Sequence, residues 1–124
     1  MARMNFKMKI IIFLVIVFFS GLPMWFTTYT QFINNSLISF YSILVSAICG
    51  CILGFVTGHK FFKILFYIIA AQQVSFLIKV YLDCRIDPTN HNLVPFEIII
   101  LFIEDFVVCA IGVGLGVSLR TIRR

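Results

Sequence analysis

Between Ile10 and His59 the chain has no aspartate, glutamate, lysine or arginine. A soluble domain carries charge along its whole length, so this absence excludes one for the first half of the chain. Acid is scarce throughout: five Asp and Glu stand against ten Lys and Arg, and all five lie between Asp83 and Asp105. The four cysteines form no C-x-x-C pair, which leaves neither a thiol–disulfide redox motif nor a zinc knuckle. No other cofactor motif is present, and none is expected. No small-x-small cleavage site accompanies Ser20-Gly21, so the first apolar stretch is expected to be a retained anchor rather than a signal peptide.

What fills the sequence instead is hydrocarbon. Of 124 residues, 61% are hydrophobic, and the mean hydropathy is +1.07. One spanning helix needs about 20 apolar residues. The charge-free run therefore holds two spans, divided by the polar stretch from Thr27 through Ser36. Two more follow, giving spans at roughly residues 9–27, 37–57, 61–82 and 95–119. The expected fold is all-α, an integral membrane four-helix bundle in a single domain, with its main surroundings the lipid bilayer.

Charge sets an orientation. Arg3, Lys7 and Lys9 precede the first span, Lys60 and Lys63 lie in the second loop, and Arg120, Arg123 and Arg124 end the tail. Basic residues so alternate by side that both termini are expected in the cytoplasm, N-in and C-in. Trp25, Tyr29 and Tyr81 suit the outer interfacial belt. Topology alone explains the net charge of +5, so no nucleic-acid partner is expected.

The second span carries small residues at every fourth position: Ser42, Ser46, Gly50, Gly54 and Gly58. That spacing makes one stripe along a helix, and in lipid such a stripe lets two backbones approach. The fourth span has Ala110, Gly112, Gly114, Gly116 and Ser118 at the same end. The stripes either meet within one bundle or make a homo-oligomer interface.

Polar residues also fall into faces. Gln72, Ser75 and Lys79 share one side of the third span, with Gln73 beside them. Glu97 and Glu104 share a side of the fourth, with Asp105 about 100° round. At about 1.5 Å per residue, Lys79 and Glu97 lie within about 5 Å of the outer boundary, and Gln72, Gln73, Glu104 and Asp105 about 14–15 Å deep. The expectation is a Lys79–Glu97 ion pair above a Gln72–Glu104 hydrogen bond. Two neighbouring acids do not both ionise readily without a cation. They either glue helices together or mark an ion or proton path.

The outer loop is the densest in reactive groups. Cys84, Asp87, His91 and Glu97 are metal-ligand types, but their spacing fits no zinc pattern, and a hydrogen-bonded cap over the bundle is the simpler expectation. Cys84 is the one cysteine outside the spans and is available to pair between chains; Cys49, Cys51 and Cys109 lie within spans as small hydrophobes. Pro95 and Glu97 suit the first turn of the fourth helix. The run Asp87-Pro88-Thr89-x-His91-Asn92-Leu93-x-Pro95-Phe96-Glu97 resembles a segment of small bacterial inner-membrane proteins for which no activity is known. The resemblance covers eleven residues and implies a bacterial plasma membrane. The chain does not look like small multidrug transporters, whose essential glutamate lies in the first span, nor like fluoride channels, whose Arg and Asn pattern is missing. Small toxin-immunity proteins share its size and basic character. The expected role is non-enzymatic, binding or protecting against a membrane partner. The alternative is a small transporter or channel using Glu104 and Asp105.

Overall fold

A computed structural model of the chain describes residues 5–27, 36–57, 61–89 and 93–124. Four helices account for nearly all of them: α1 (Phe6–Trp25), α2 (Ser36–Thr57), α3 (Phe61–Ile86) and α4 (Val94–Arg123). All four are long and apolar enough to cross a membrane. At about 1.5 Å per residue, α3 and α4 are roughly 39 and 45 Å long, well beyond a ~30 Å hydrocarbon core. The third helix therefore runs beyond the stretch expected to span the membrane. It continues past Leu82 to Ile86, because nothing between Asp83 and Ile86 breaks a helix; the first helix-stopping signal is Pro88.

The helices pair in parallel. Against α3, α1 contributes the Val17 carbonyl, which accepts from the Ser75 hydroxyl at 2.8 Å, and the chain just past its end contributes the Thr27 carbonyl, which accepts from Lys79 Nζ at 2.5 Å. Nearer the α1 start, the Tyr67 hydroxyl donates to the Lys9 carbonyl. Sequence number rises together on both helices, so they run the same way.

The second parallel pair, α2 with α4, is the closest in the bundle. A Cβ built on Gly54 would lie 2.6 Å from the Val113 carbonyl oxygen, and one on Gly112 would lie 2.5 Å from that of Ala47. One on Gly116 would run into the Cys51 carbonyl, and one on Gly50 would come 3.1 Å from the Val113 amide. These glycines are spacers that let two backbones touch. Ser46 is fully buried on the same seam, where its carbonyl accepts from the Cys109 thiol at 3.9 Å. From Ser46 to Gly54 the stripe is thus filled within one chain. Gly58, His91, Tyr29 and Arg3 lie outside the described residues.

In lipid every backbone polar group needs a partner, and two weak points are closed across helices. Pro23 lies inside α1 and has no N–H to give the Phe19 carbonyl four residues earlier. The Tyr41 hydroxyl of α2 donates to that carbonyl instead, at 2.9 Å. At the other end, Arg120 in the last turn of α4 donates to the Val56 and Phe55 carbonyls, at 2.7 and 3.4 Å. It so caps the end of α2, whose last carbonyls have no helical donor.

α3 is the most enclosed helix. Leu65 and Ile68 are fully buried on it, packed with Ile16 and Val17 of α1 and with Cys109 and Val113 of α4. The outer faces of α1, α2 and α4 carry exposed Leu, Ile, Val and Phe, as a lipid-facing surface requires. The inward stripe of α3 reads Leu65, Ile68, Gln72, Ser75, Lys79, Asp83. It begins apolar and turns polar along its length, which puts the chain's polar chemistry inside the bundle.

Candidate functional site: a polar core on the third helix

Two clusters occupy this stripe. The first ties α1 to α3. Lys79 has no exposed surface, and its ammonium donates to Asp83 Oδ1 at 2.6 Å and to the Thr27 carbonyl. The cross-helix Lys79–Glu97 pair expected from depth is corrected here: the ion pair on Lys79 is with Asp83, one turn along its own helix. Because α3 runs to Ile86, the i,i+4 spacing brings the two charges together on one helix. Glu97 stands half-buried in the first turn of α4, near its dipole's positive end.

Below the ion pair, the Trp25 indole N–H donates to the Ser75 carbonyl at 3.1 Å. Gly21 makes this reach feasible, since a Cβ there would run into the indole ring. Trp25, Ser75, Lys79 and Asp83 so form a continuous polar ladder that fixes the end of α1 to α3. Its sign in the sequence is the helical spacing of Lys79 and Asp83.

The second cluster lies between all four helices. Gln72, Gln73, Asp105 and Ser42 line a cavity of about 20 Å³ whose apolar walls include Met24, Phe76 and Leu101. Gln72 is 4% exposed and Asp105 8%. The amide Nε2 of Gln72 and both amide ends of Gln73 are buried without a hydrogen-bond partner. The expected Gln72–Glu104 bond is corrected accordingly: Asp105 lines the cavity, and Glu104 is half-exposed beside it. The reason is the face that α4 turns inward. Asp105, Cys109, Gly112, Val113 and Gly116 are its buried residues, at offsets of three and four, and Glu104 falls about 100° away from that stripe.

The segment around the end of α3 divides. Cys84 is half-buried in the last turn of α3. Asp87 is exposed and accepts from the Thr89 amide at 2.9 Å and the Thr89 hydroxyl at 2.7 Å. Those two bonds, the amide first, hold its carboxyl below the ordinary carboxylate range. They form an Asx turn around Pro88. Among the described residues, no three His, Cys, Asp or Glu side chains are grouped to hold a metal ion.

No protein-family model matches the chain, and no characterised protein or solved structure shows significant similarity to it.

Proposed function

We propose that this chain is a small plasma-membrane protein, with both termini cytoplasmic, that acts without catalysis by binding another membrane protein through a transmembrane helix. Toxin immunity and an accessory-subunit role are concrete versions. The orientation rests on the alternation of basic loops, and the eleven-residue loop resemblance favours a bacterial inner membrane.

The observation that carries the partner reading is an open seam between α1 and α2. These two helices touch sparsely, and between them lies an apolar groove of about 180 Å³ lined by Val15, Phe19, Tyr41, Val45, Ile48 and Cys49. Within it, Tyr41 already satisfies the carbonyl exposed by Pro23. An apolar partner helix can lie there without burying an unsatisfied polar group, and packing rather than apolar transfer supplies helix association in lipid. Extraction of native membranes in mild detergent should yield a second protein in fixed stoichiometry. Val45→Trp, which fills the groove, should release it, and a lone monomer from native membranes would count against the reading.

A second reading has its own observation. Asp105 shares its cavity with Gln72, whose Nε2 is unpartnered, and with Gln73, whose amide is unpartnered at both ends, and buried intramembrane acids commonly serve ion or proton movement. In this alternative Asp105 bears the ion, with Glu104 beside it on the half-exposed side. Reconstituted protein should then show pH-dependent flux that Asp105→Asn abolishes. Flux equal in both proteins removes this alternative.

A further inference from the structure

An isolated carboxylate in a membrane bundle needs a counter-charge, a proton or water. Asp105 is 8% exposed, and every other residue lining its cavity is uncharged. The cation on the facing helix, Lys79, is two turns away and is bound to Asp83 and the Thr27 carbonyl. The groups facing Asp105 are Ser42 from α2, Gln72 and Gln73 from α3 and apolar Met24 from α1, with Glu104 and Cys109 near it on its own helix. None of them supplies positive charge.

What they supply is amide and hydroxyl groups, each of which carries an oxygen. Gln72 Nε2, Gln73 Nε2 and Gln73 Oε1 are buried with no partner, an unusual concentration of unmet hydrogen-bonding capacity in one place. A half-turn of either amide exchanges its nitrogen for its oxygen at the cavity. With the Ser42 hydroxyl and the Asp105 carboxylate, the set is then hard, oxygen-only and singly charged. Hard oxygen donors select hard cations. One carboxylate is too little for Ca²⁺, which takes about 6–8 oxygens, usually from several acids, and Mg²⁺ keeps a shell of waters that this space cannot hold. The cavity of about 20 Å³ has room for about one water-sized occupant.

We propose that the cavity bounded by Ser42, Gln72, Gln73 and Asp105 binds one small monovalent cation, a sodium-sized ion or a proton, as the counter-charge of Asp105. In the sodium form the amide and hydroxyl oxygens complete the ion's shell. In the proton form the proton sits on an Asp105 carboxylate oxygen, and one water bridges that carboxyl to the two amides. Either occupant joins α2, α3 and α4 at one point, so occupancy tightens the bundle. The inference deepens the second reading above by naming its ligand, yet binding requires no transport.

The test uses the full chain in lipid nanodiscs. Its melting temperature is followed at constant ionic strength in sodium, lithium, potassium or N-methylglucamine chloride at alkaline pH, and again across an acid-going pH series in N-methylglucamine. Ligand that binds only the folded state raises the melting temperature. Sodium or lithium should raise it above the N-methylglucamine value, or acidification should do so, with a protonated-carboxyl infrared band that follows the same pH. The first outcome assigns the metal ion and the second the proton. Asp105→Asn should lose the response, Gln73→Leu should weaken it, and Glu104→Gln should keep it. A wild-type protein that responds to neither sodium, lithium nor pH overturns the proposal, even if Asp105→Asn fails to fold. So does an Asp105→Asn protein that responds as wild type does. Binding without flux in liposomes refutes the transport reading and leaves this site standing.

Discussion

Two substitutions two residues apart on α4 should act in opposite directions. At Gly116 a side chain meets backbone on α2: the Cys51 carbonyl oxygen, and the Phe55 amide nitrogen 2.8 Å from where a Cβ would be. Backbone atoms cannot rotate aside as a side chain does, so helix α2 itself must move. Overpacking a filled site costs about 1–3 kcal/mol, and Gly116→Val belongs at the upper end. The gain in helix propensity from glycine to valine is only a few tenths of a kcal/mol and does not offset it. At Gly114 a Cβ would meet nothing within 4 Å, so Gly114→Ala should stabilise by up to about 0.5–1 kcal/mol through backbone entropy alone. Denaturant titration in detergent, followed by circular dichroism and by the fluorescence of Trp25, the single tryptophan, measures both. A cost near 3 kcal/mol is roughly a hundredfold in the folded-to-unfolded ratio. A Gly116→Val protein with the wild-type midpoint would refute the α2–α4 seam, and so would a Gly114→Ala protein as damaged as Gly116→Val.

Other consequences follow from the polar core. Lys79→Met leaves Asp83 buried without its ammonium and should cost about 3–5 kcal/mol, whereas the double substitution Lys79→Met with Asp83→Leu should recover most of that loss; unfolding midpoints of the two variants decide it. Ser75→Ala removes the bond to the Val17 carbonyl and should cost about 0.6 kcal/mol, the average for interhelical polar contacts in membranes, measured in the same titration. Asp87 should titrate below ordinary aspartates because the folded loop favours its charged form. With the folded value depressed, its contribution is present above the unfolded pKa and disappears as pH falls through the folded one. Carbon-13 carboxyl shifts should show that Thr89→Ala moves the Asp87 titration upward. A reporter fused after Asn90 should read periplasmic, and a cytoplasmic reading would overturn the orientation.

The number and rough extent of the helices are legible in hydropathy, because a spanning helix needs a continuous apolar run of about 20 residues. Helix ends are not, since a helix does not stop where the bilayer does: α3 carries Asp83, Cys84 and Arg85 past the apolar stretch. That misplaced end is what hid Asp83 from Lys79. The choice between Glu104 and Asp105 was legible in principle. Asp105 lies four residues before Cys109, seven before Gly112 and eleven before Gly116, on the small-residue stripe that α4 turns inward, while Glu104 does not. The Tyr41 bond that completes the break at Pro23 and the Arg120 cap on α2 lie beyond any local pattern, because they depend on which helices are neighbours. Membrane sidedness is carried by the loop charges alone, as a bundle has no inside or outside of its own.

The partner reading is tested most directly by a photo-activatable side chain placed at Ile48, in the groove between α1 and α2, with Ile103 on the exposed face of α4 as the control. Illumination of native membranes should give one discrete heavier adduct with the same second protein from Ile48, and none from Ile103. Equal labelling of lipid from both positions, with no protein adduct at Ile48, would contradict it.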